Sequence, residues 1–140
     1  MSHAFHSKPS RLPVWLLLGA VAAVLGMAGV ETFREQRAVR QKAIVLTGGD
    51  PDEGRLAIQR LGCGTCHTVP GVTGANGLVG PPLERMADRV YIAGKLHNTP
   101  DNMVQWILDP QRVTPGTAMP RTGADPRDAR DITAYLYTLR

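Results

Sequence analysis

Cys63-Gly64-Thr65-Cys66-His67 is the stretch on which the reading of this chain turns. C-x-x-C-H is the attachment signature of a c-type haem: two thiols add across the vinyl groups of the porphyrin, and the adjacent histidine supplies one axial nitrogen to iron. Three other readings compete. A zinc site needs about four ligands at proper spacing, and the chain has no second C-x-x-C and no H-x-x-x-H. A thioredoxin-like redox pair needs a βαβ context that this chain lacks. A disulfide between the two cysteines is the third alternative.

One axial ligand leaves the function open, because a vacant sixth position allows gas binding or catalysis whereas a filled one favours electron transfer. The candidates are Met86, Met103, Met119 and His97. Met103 falls on the apolar face of an expected helix and Met86 on a short one, where methionine serves as packing. Met119 stands in Pro115-Gly116-Thr117-Ala118-Met119-Pro120, whose prolines restrict the loop before folding and so lower the entropy lost in holding the thioether. Met119 is therefore the expected second ligand, with an open site as the alternative. His97 reads as a surface residue.

Outward from the motif, three helices announce themselves. Asp50-Pro51 is an N-cap and first-turn pair, followed by Gly54, Ala57, Ile58 and Leu61 on one apolar face. Thr99-Pro100-Asp101 begins a second, through Met103, Val104 and Ile107 until Asp109-Pro110 stops it. Asp125-Pro126 begins a third, with Ala129, Ile132, Leu136 and Leu139 on one stripe. No strand-like alternation competes, so the expected class is all-α. Residues 62–82 and 110–124 form loops too long to be idle in so small a unit. Aromatic residues make up only 5% of the chain while Gly (15) and Pro (11) are frequent, a composition that leaves room for a cofactor to fill the middle.

The apolar fraction is concentrated near the N-terminus, where the 19 residues 12–30 carry no charge. As a helix they extend roughly 28 Å, against a bilayer core of roughly 30 Å. A cleaved signal peptide is the competing reading, but the run exceeds a usual h-region and Gly26-Met27-Ala28 is a weak cleavage site. Trp15 suits an interfacial position. Glu31 to Lys42 reads as a continuing charged helix. The net charge of +4 belongs to these flanks: from Ala43 onward ten basic residues balance ten acidic ones. This argues for anionic lipid and against nucleic acid. Arg34, Arg37, Arg40 and Lys42 outnumber Lys8 and Arg11, so charge alone would keep the C-terminal side cytoplasmic.

The order of C-x-x-C-H, then Gly80-Pro81-Pro82-Leu83, then Pro-Gly-Thr-Ala-Met-Pro before a final helix resembles a class I cytochrome c over roughly residues 50–140. The resemblance implies an all-α class I cytochrome c fold preceded by one N-terminal transmembrane helix. It implies one haem c attached through Cys63 and Cys66, with His67 and Met119 on the iron. It also implies a Pro81 carbonyl accepting the His67 ring N–H, and Gly54 and Ile58 crossing Ile132, Tyr135 and Leu136. Ile58 departs from the aromatic that many relatives carry. Residues 93–103, with Trp106-Ile107 and Asp109-Pro110-Gln111, are similar to the cytochrome c domain fused to subunit II of some haem-copper oxidases, without the copper-binding domain. That similarity implies that Trp106, Tyr91 and Arg89 approach the haem propionates; ordinary core packing is the alternative for the two aromatics.

The expectation is then an electron carrier rather than an enzyme, in a respiratory chain, alone or as a subunit of a larger complex. Its expected partners are the bilayer and redox proteins such as a haem-copper oxidase or a quinol:cytochrome c reductase, with no nucleic acid. A haem-based gas sensor or small haem enzyme is the alternative. Family chemistry attaches such haem outside the bacterial cytoplasmic membrane, which overrides the charge count and puts the domain in the periplasm. The expected division is a cytoplasmic tail (1–11, with His3 and His6), an anchor (12–33), a charged stalk (34–49) and a cytochrome domain (50–140). Without its haem the domain is expected to fold poorly.

Overall fold

A computed structural model describes residues 13–140; the expected tail, residues 1–11, and the first residue of the expected anchor lie outside the described residues. The chain divides into two compact units between Gln36 and Arg37. The first unit holds most of helix α1 (Val14–Thr47), long and apolar enough to cross a membrane. Its Leu and Val side chains, Leu16, Leu17, Leu18, Val21, Val24 and Leu25 among them, are exposed, an apolar surface of the kind a membrane-crossing helix carries.

The break at Thr47-Gly48-Gly49 does end α1, but the last turns of the expected stalk belong to the second unit. Ala43 and Thr47 are buried, and Arg40 forms hydrogen-bonded ion pairs with Asp50 (3.0 Å) and Asp52 (2.8 and 2.9 Å). At least one cation counted as membrane flank is thus engaged by the start of the next helix.

In the second unit three helices start on their capping residues. Asp50 caps α2 (Pro51–Arg60), Thr99 caps α3 (Pro100–Leu108) and Asp125 caps α5 (Pro126–Leu136), each with a side-chain oxygen accepting a backbone N–H of the first turn and proline at the first helical position. Pro110 ends α3, as expected, and also opens a one-turn helix, α4 (Pro110–Val113), capped by Asp109. Helix α5 stops at Leu136; Leu139, expected on its stripe, lies beyond, half-buried against the core.

Helices α2 and α5 cross tightly. A Cβ at Gly54 would lie 1.9 Å from the Asp131 carbonyl oxygen, so only glycine admits this approach. The buried Asp131 carboxylate accepts from the Asp50 N–H at 2.7 Å, and Arg60 reaches Asp128 at 2.6 Å from the far end of α2. Ile58, Met103, Ile107, Ile132 and Leu136 pack beneath this crossing, where their burial drives folding.

The fold is mostly helical, with one addition that the sequence pattern did not disclose. Strands β1 (Tyr91–Ile92) and β2 (Leu96–His97) pair antiparallel, Tyr91 opposite His97 and Ile92 opposite Leu96. The turn between them places Ala93 (φ 50°) and Gly94 (φ 68°) in the left-handed region, as a tight primed hairpin turn requires. Two residues per strand are too few for alternation to register.

Candidate functional site

Loop 62–82 carries the C-x-x-C-H stretch. Gly62, at φ 69°, turns the chain out of α2, and a single 3-10 turn (Cys63–Thr65) follows, its end bonded from the Cys66 N–H to the Cys63 carbonyl. The same Cys63 carbonyl accepts from the His67 N–H at 3.0 Å, so the five residues form one compact unit. Burial pushes the Cys63 thiol above its ordinary pKa.

The His67 ring is oriented by what surrounds it. Nδ1 lies 2.7 Å from the Pro81 carbonyl oxygen. A carbonyl can only accept, so Nδ1 carries the proton and Nε2 keeps its lone pair, the form that a metal takes. Gly80 presses on the same ring: a Cβ there would fall 2.4 Å from Cε1 and 2.7 Å from Nδ1. The turn that brings Gly80 in is a backbone bond from its N–H to the Cys66 carbonyl at 2.8 Å.

Loop 110–124 carries Met119. The Gln111 side chain amide donates to the carbonyls of Thr117 (2.7 Å) and Met119 (2.9 Å), while its oxygen accepts the Gly116 N–H (3.1 Å). Arg121 grips Asp109 through two nitrogens, and Thr122 donates to the Ile107 carbonyl at 2.9 Å. The Arg121 guanidinium holds the Asp109 carboxyl below its ordinary pKa.

Both loops line one cavity of about 420 Å³, which the structure shares among Cys63, Cys66, His67 and Pro81 on one loop and Met119 on the other. Ile58, Met86, Met103, Ile107, Ile132 and Leu136 give it apolar walls. Trp106 and Tyr91 line it as well, in different settings: Trp106 is 9% exposed within the core cluster, while Tyr91 is 52% exposed and rests its ring against that of His97, 4.9 Å between centroids. Arg89 lines the cavity but directs its guanidinium to the carbonyls of Pro82 and Glu84. His97 is exposed, while Met86 and Met103 are buried and line the cavity together with Met119.

A haem fits this donor set. Two cysteines, a histidine whose Nδ1 is taken up by Pro81 and a methionine line one largely apolar cavity, and Gly80 leaves a ring-sized place for the imidazole. Among the described residues no group of three or more His, Cys, Asp or Glu could hold a metal ion unaided.

Two contributors escaped the sequence reading. Gln111, in the run Asp109-Pro110-Gln111, carries no signal of its loop-bracing bonds in the sequence. Asn98 donates to the carbonyls of Met86 (2.7 Å) and Arg89 (2.8 Å) and accepts from the Tyr137 hydroxyl (3.1 Å), bracing the cavity wall. Neither has a periodicity or spacing that would mark it, since each acts through contacts that exist only after folding.

The cytochrome c family model matches residues 52–140. Over 105 residues the chain is 35% identical to cytochrome c2 of Rhodopila globiformis, covering 66% of this chain and 95% of that protein. Over 90 residues it is 33% identical to cytochrome c oxidase subunit 2 of Alkalihalophilus pseudofirmus, covering 64% of this chain but only a quarter (25%) of that subunit's length. No solved structure matches.

Proposed function

The chain belongs to the cytochrome c family, a monohaem electron carrier, and on that premise we propose that it works as a membrane-tethered carrier passing single electrons to or within a terminal respiratory oxidase. The observation that supports the site assignment is the shared cavity, in which Cys63 and Cys66 would hold the haem while His67 and Met119, from the two loops, would ligate its iron. When bound, the haem supplies one-electron chemistry at an iron whose methionine ligand raises the potential relative to two nitrogens.

The chain's own residues do the rest. The Pro81 carbonyl fixes the His67 tautomer and makes Nε2 a better donor. The apolar walls exclude water, so a charge change of one at the site meets little rearrangement. Trp106 and Tyr91 border the cavity where an indole N–H and a phenol O–H suit haem carboxylates. Helix α1 supports the tether by length and composition, and a tether raises the effective concentration at a membrane partner. Family chemistry supports a domain on the periplasmic side of a bacterial cytoplasmic membrane. The likeness to an oxidase subunit over a quarter of its length supports an oxidase as the partner; a quinol:cytochrome c reductase would be the donor.

Spectra of the haem-loaded protein, oxidised and reduced, with and without carbon monoxide, test the site. The expected result is the weak far-red absorption of a methionine-bound ferric haem, lost in Met119→Ala, and no carbon monoxide binding in the wild type. Carbon monoxide binding to the wild type, with the variant unchanged, would put the sensor or enzyme reading first.

A further inference from the structure

Gly116 to Met119 is a segment between two prolines, Pro115 and Pro120, neither of which has an N–H to donate. One side chain meets this arc at three points. The Gln111 Nε2 donates to the carbonyls of Thr117 (2.7 Å) and Met119 (2.9 Å), and its Oε1 accepts the Gly116 N–H (3.1 Å). Two carbonyls flanking Ala118 are therefore drawn to one nitrogen, which sets the path of the backbone into Met119, a residue that lines the cavity. Only an amide can do this with a single planar group: it offers two donors and an acceptor side by side, where a carboxylate offers acceptors alone.

We propose that Gln111 is a positioning residue for Met119, holding the loop so that the thioether stays on the iron; this rests on the reading of Met119 as an iron ligand. The surrounding contacts support a specific role for this side chain. The Asp109–Arg121 pair closes the loop at its exposed base, with Arg121 72% exposed, and Thr122 ties its far end to α3. The hydrogen bonds of these side chains go to Asp109, Ile107 and Ala124, outside the arc from Gly116 to Met119. Gln111, half-buried inside the loop, is the strut for that arc.

The test uses the full haem-loaded chain and two substitutions, Gln111→Glu and Gln111→Leu. Glutamate keeps the shape but, ionised at neutral pH, turns only acceptors toward two carbonyls; leucine keeps most of the volume and makes no hydrogen bond. The readouts are the far-red methionine–iron absorption, its loss with rising pH, and carbon monoxide binding to the reduced form, with folded content followed by far-ultraviolet circular dichroism.

Loss of the two donated bonds should shift the balance between bound and released methionine roughly tenfold in the leucine variant, and further in the glutamate variant. Both should lose the absorption at lower pH than the wild type and gain carbon monoxide binding while remaining helical. The proposal is overturned if both variants match the wild type. It is also overturned if leucine weakens the absorption while glutamate keeps it, since packing rather than donation would then hold the loop. Met119→Ala separates the two levels: a wild type without the absorption, indistinguishable from this variant, refutes the ligand reading and the strut with it. Absorption that is lost only in Met119→Ala refutes the strut alone.

Discussion

The two loops that line the cavity are held by different kinds of bond. Loop 62–82 is tied mainly through its backbone: Gly77 N–H to Gly64 carbonyl (3.0 Å), Gly80 to Cys66 (2.8 Å), Leu83 to Thr68 (2.8 Å) and Val69 to Ala75 (3.1 Å). Loop 110–124 is tied mainly through side chains, those of Gln111, Thr122, Asp109 and Arg121. Backbone bonds persist through most substitutions, whereas a side-chain strut is lost with its one residue. The histidine side should therefore tolerate change of side chains except where space is forbidden, and the methionine side should yield to single polar substitutions and to acid.

Removing the covalent attachment should have the largest effect. The paired change Cys63→Ala and Cys66→Ala should abolish haem retained on a denaturing gel and leave the apolar walls of the cavity facing water, so that cooperative thermal unfolding is lost. A cooperative transition in that variant would mean that the helices suffice for the fold.

Next is the space-limited point of the histidine loop. Gly80→Ala puts a Cβ 2.4 Å from His67 Cε1, so the ring must rotate away from Pro81 at a cost of about 1–3 kcal/mol. Chemical denaturation should register that loss, and the reduction potential should move because the His67–Pro81 bond is disturbed. An unchanged potential would show that the ring has other support.

On the methionine side, Thr122→Val keeps shape but removes the bond to the Ile107 carbonyl and the acceptor for the Ala124 N–H, with an expected loss of about 1–2 kcal/mol. Equal losses from a neutral polar substitution in loop 62–82, such as Thr68→Val, would erase the contrast between the loops. Thr68 donates there only to the Gly77 carbonyl, at 3.1 Å.

The smallest effect is the acid response. Asp109 has its folded pKa lowered, first by the Arg121 hydrogen bond, below an ordinary value of 3.8. Its contribution is complete above that ordinary value and is lost as pH falls through the lower folded one. Asp125, lowered by the Asp128 N–H it caps, behaves alike. Thermal stability should fall below about pH 4, and Arg121→Ala should flatten the part due to Asp109. An unchanged acid profile in that variant would remove Asp109 from the account.

Much of the fold was legible because its signals are local. Asp50-Pro51, Thr99-Pro100 and Asp125-Pro126 start helices through bonds to the next two or three residues, and Gly54, Ala57 and Ile58 mark a face by spacing alone. Five adjacent residues announced the haem chemistry for the same reason. The hairpin at Tyr91–His97 was hidden by its shortness, and the burial of Ala43 and Thr47 by a charged context that reads as stalk.

The reactive groups, the three capped helices and the apolar N-terminal helix are written in local sequence, since each depends on neighbours within a turn or two of chain. Folding alone brings the Gln111 amide to the carbonyls of Thr117 and Met119 and the Asp131 carboxylate to the N–H of Asp50, 81 residues away; the Pro81–His67 bond, fourteen residues apart, was implied by family resemblance and takes its geometry from the fold. Those contacts form between groups whose nearness is created by the α2–α5 crossing and by loop closure, and no local preference encodes them.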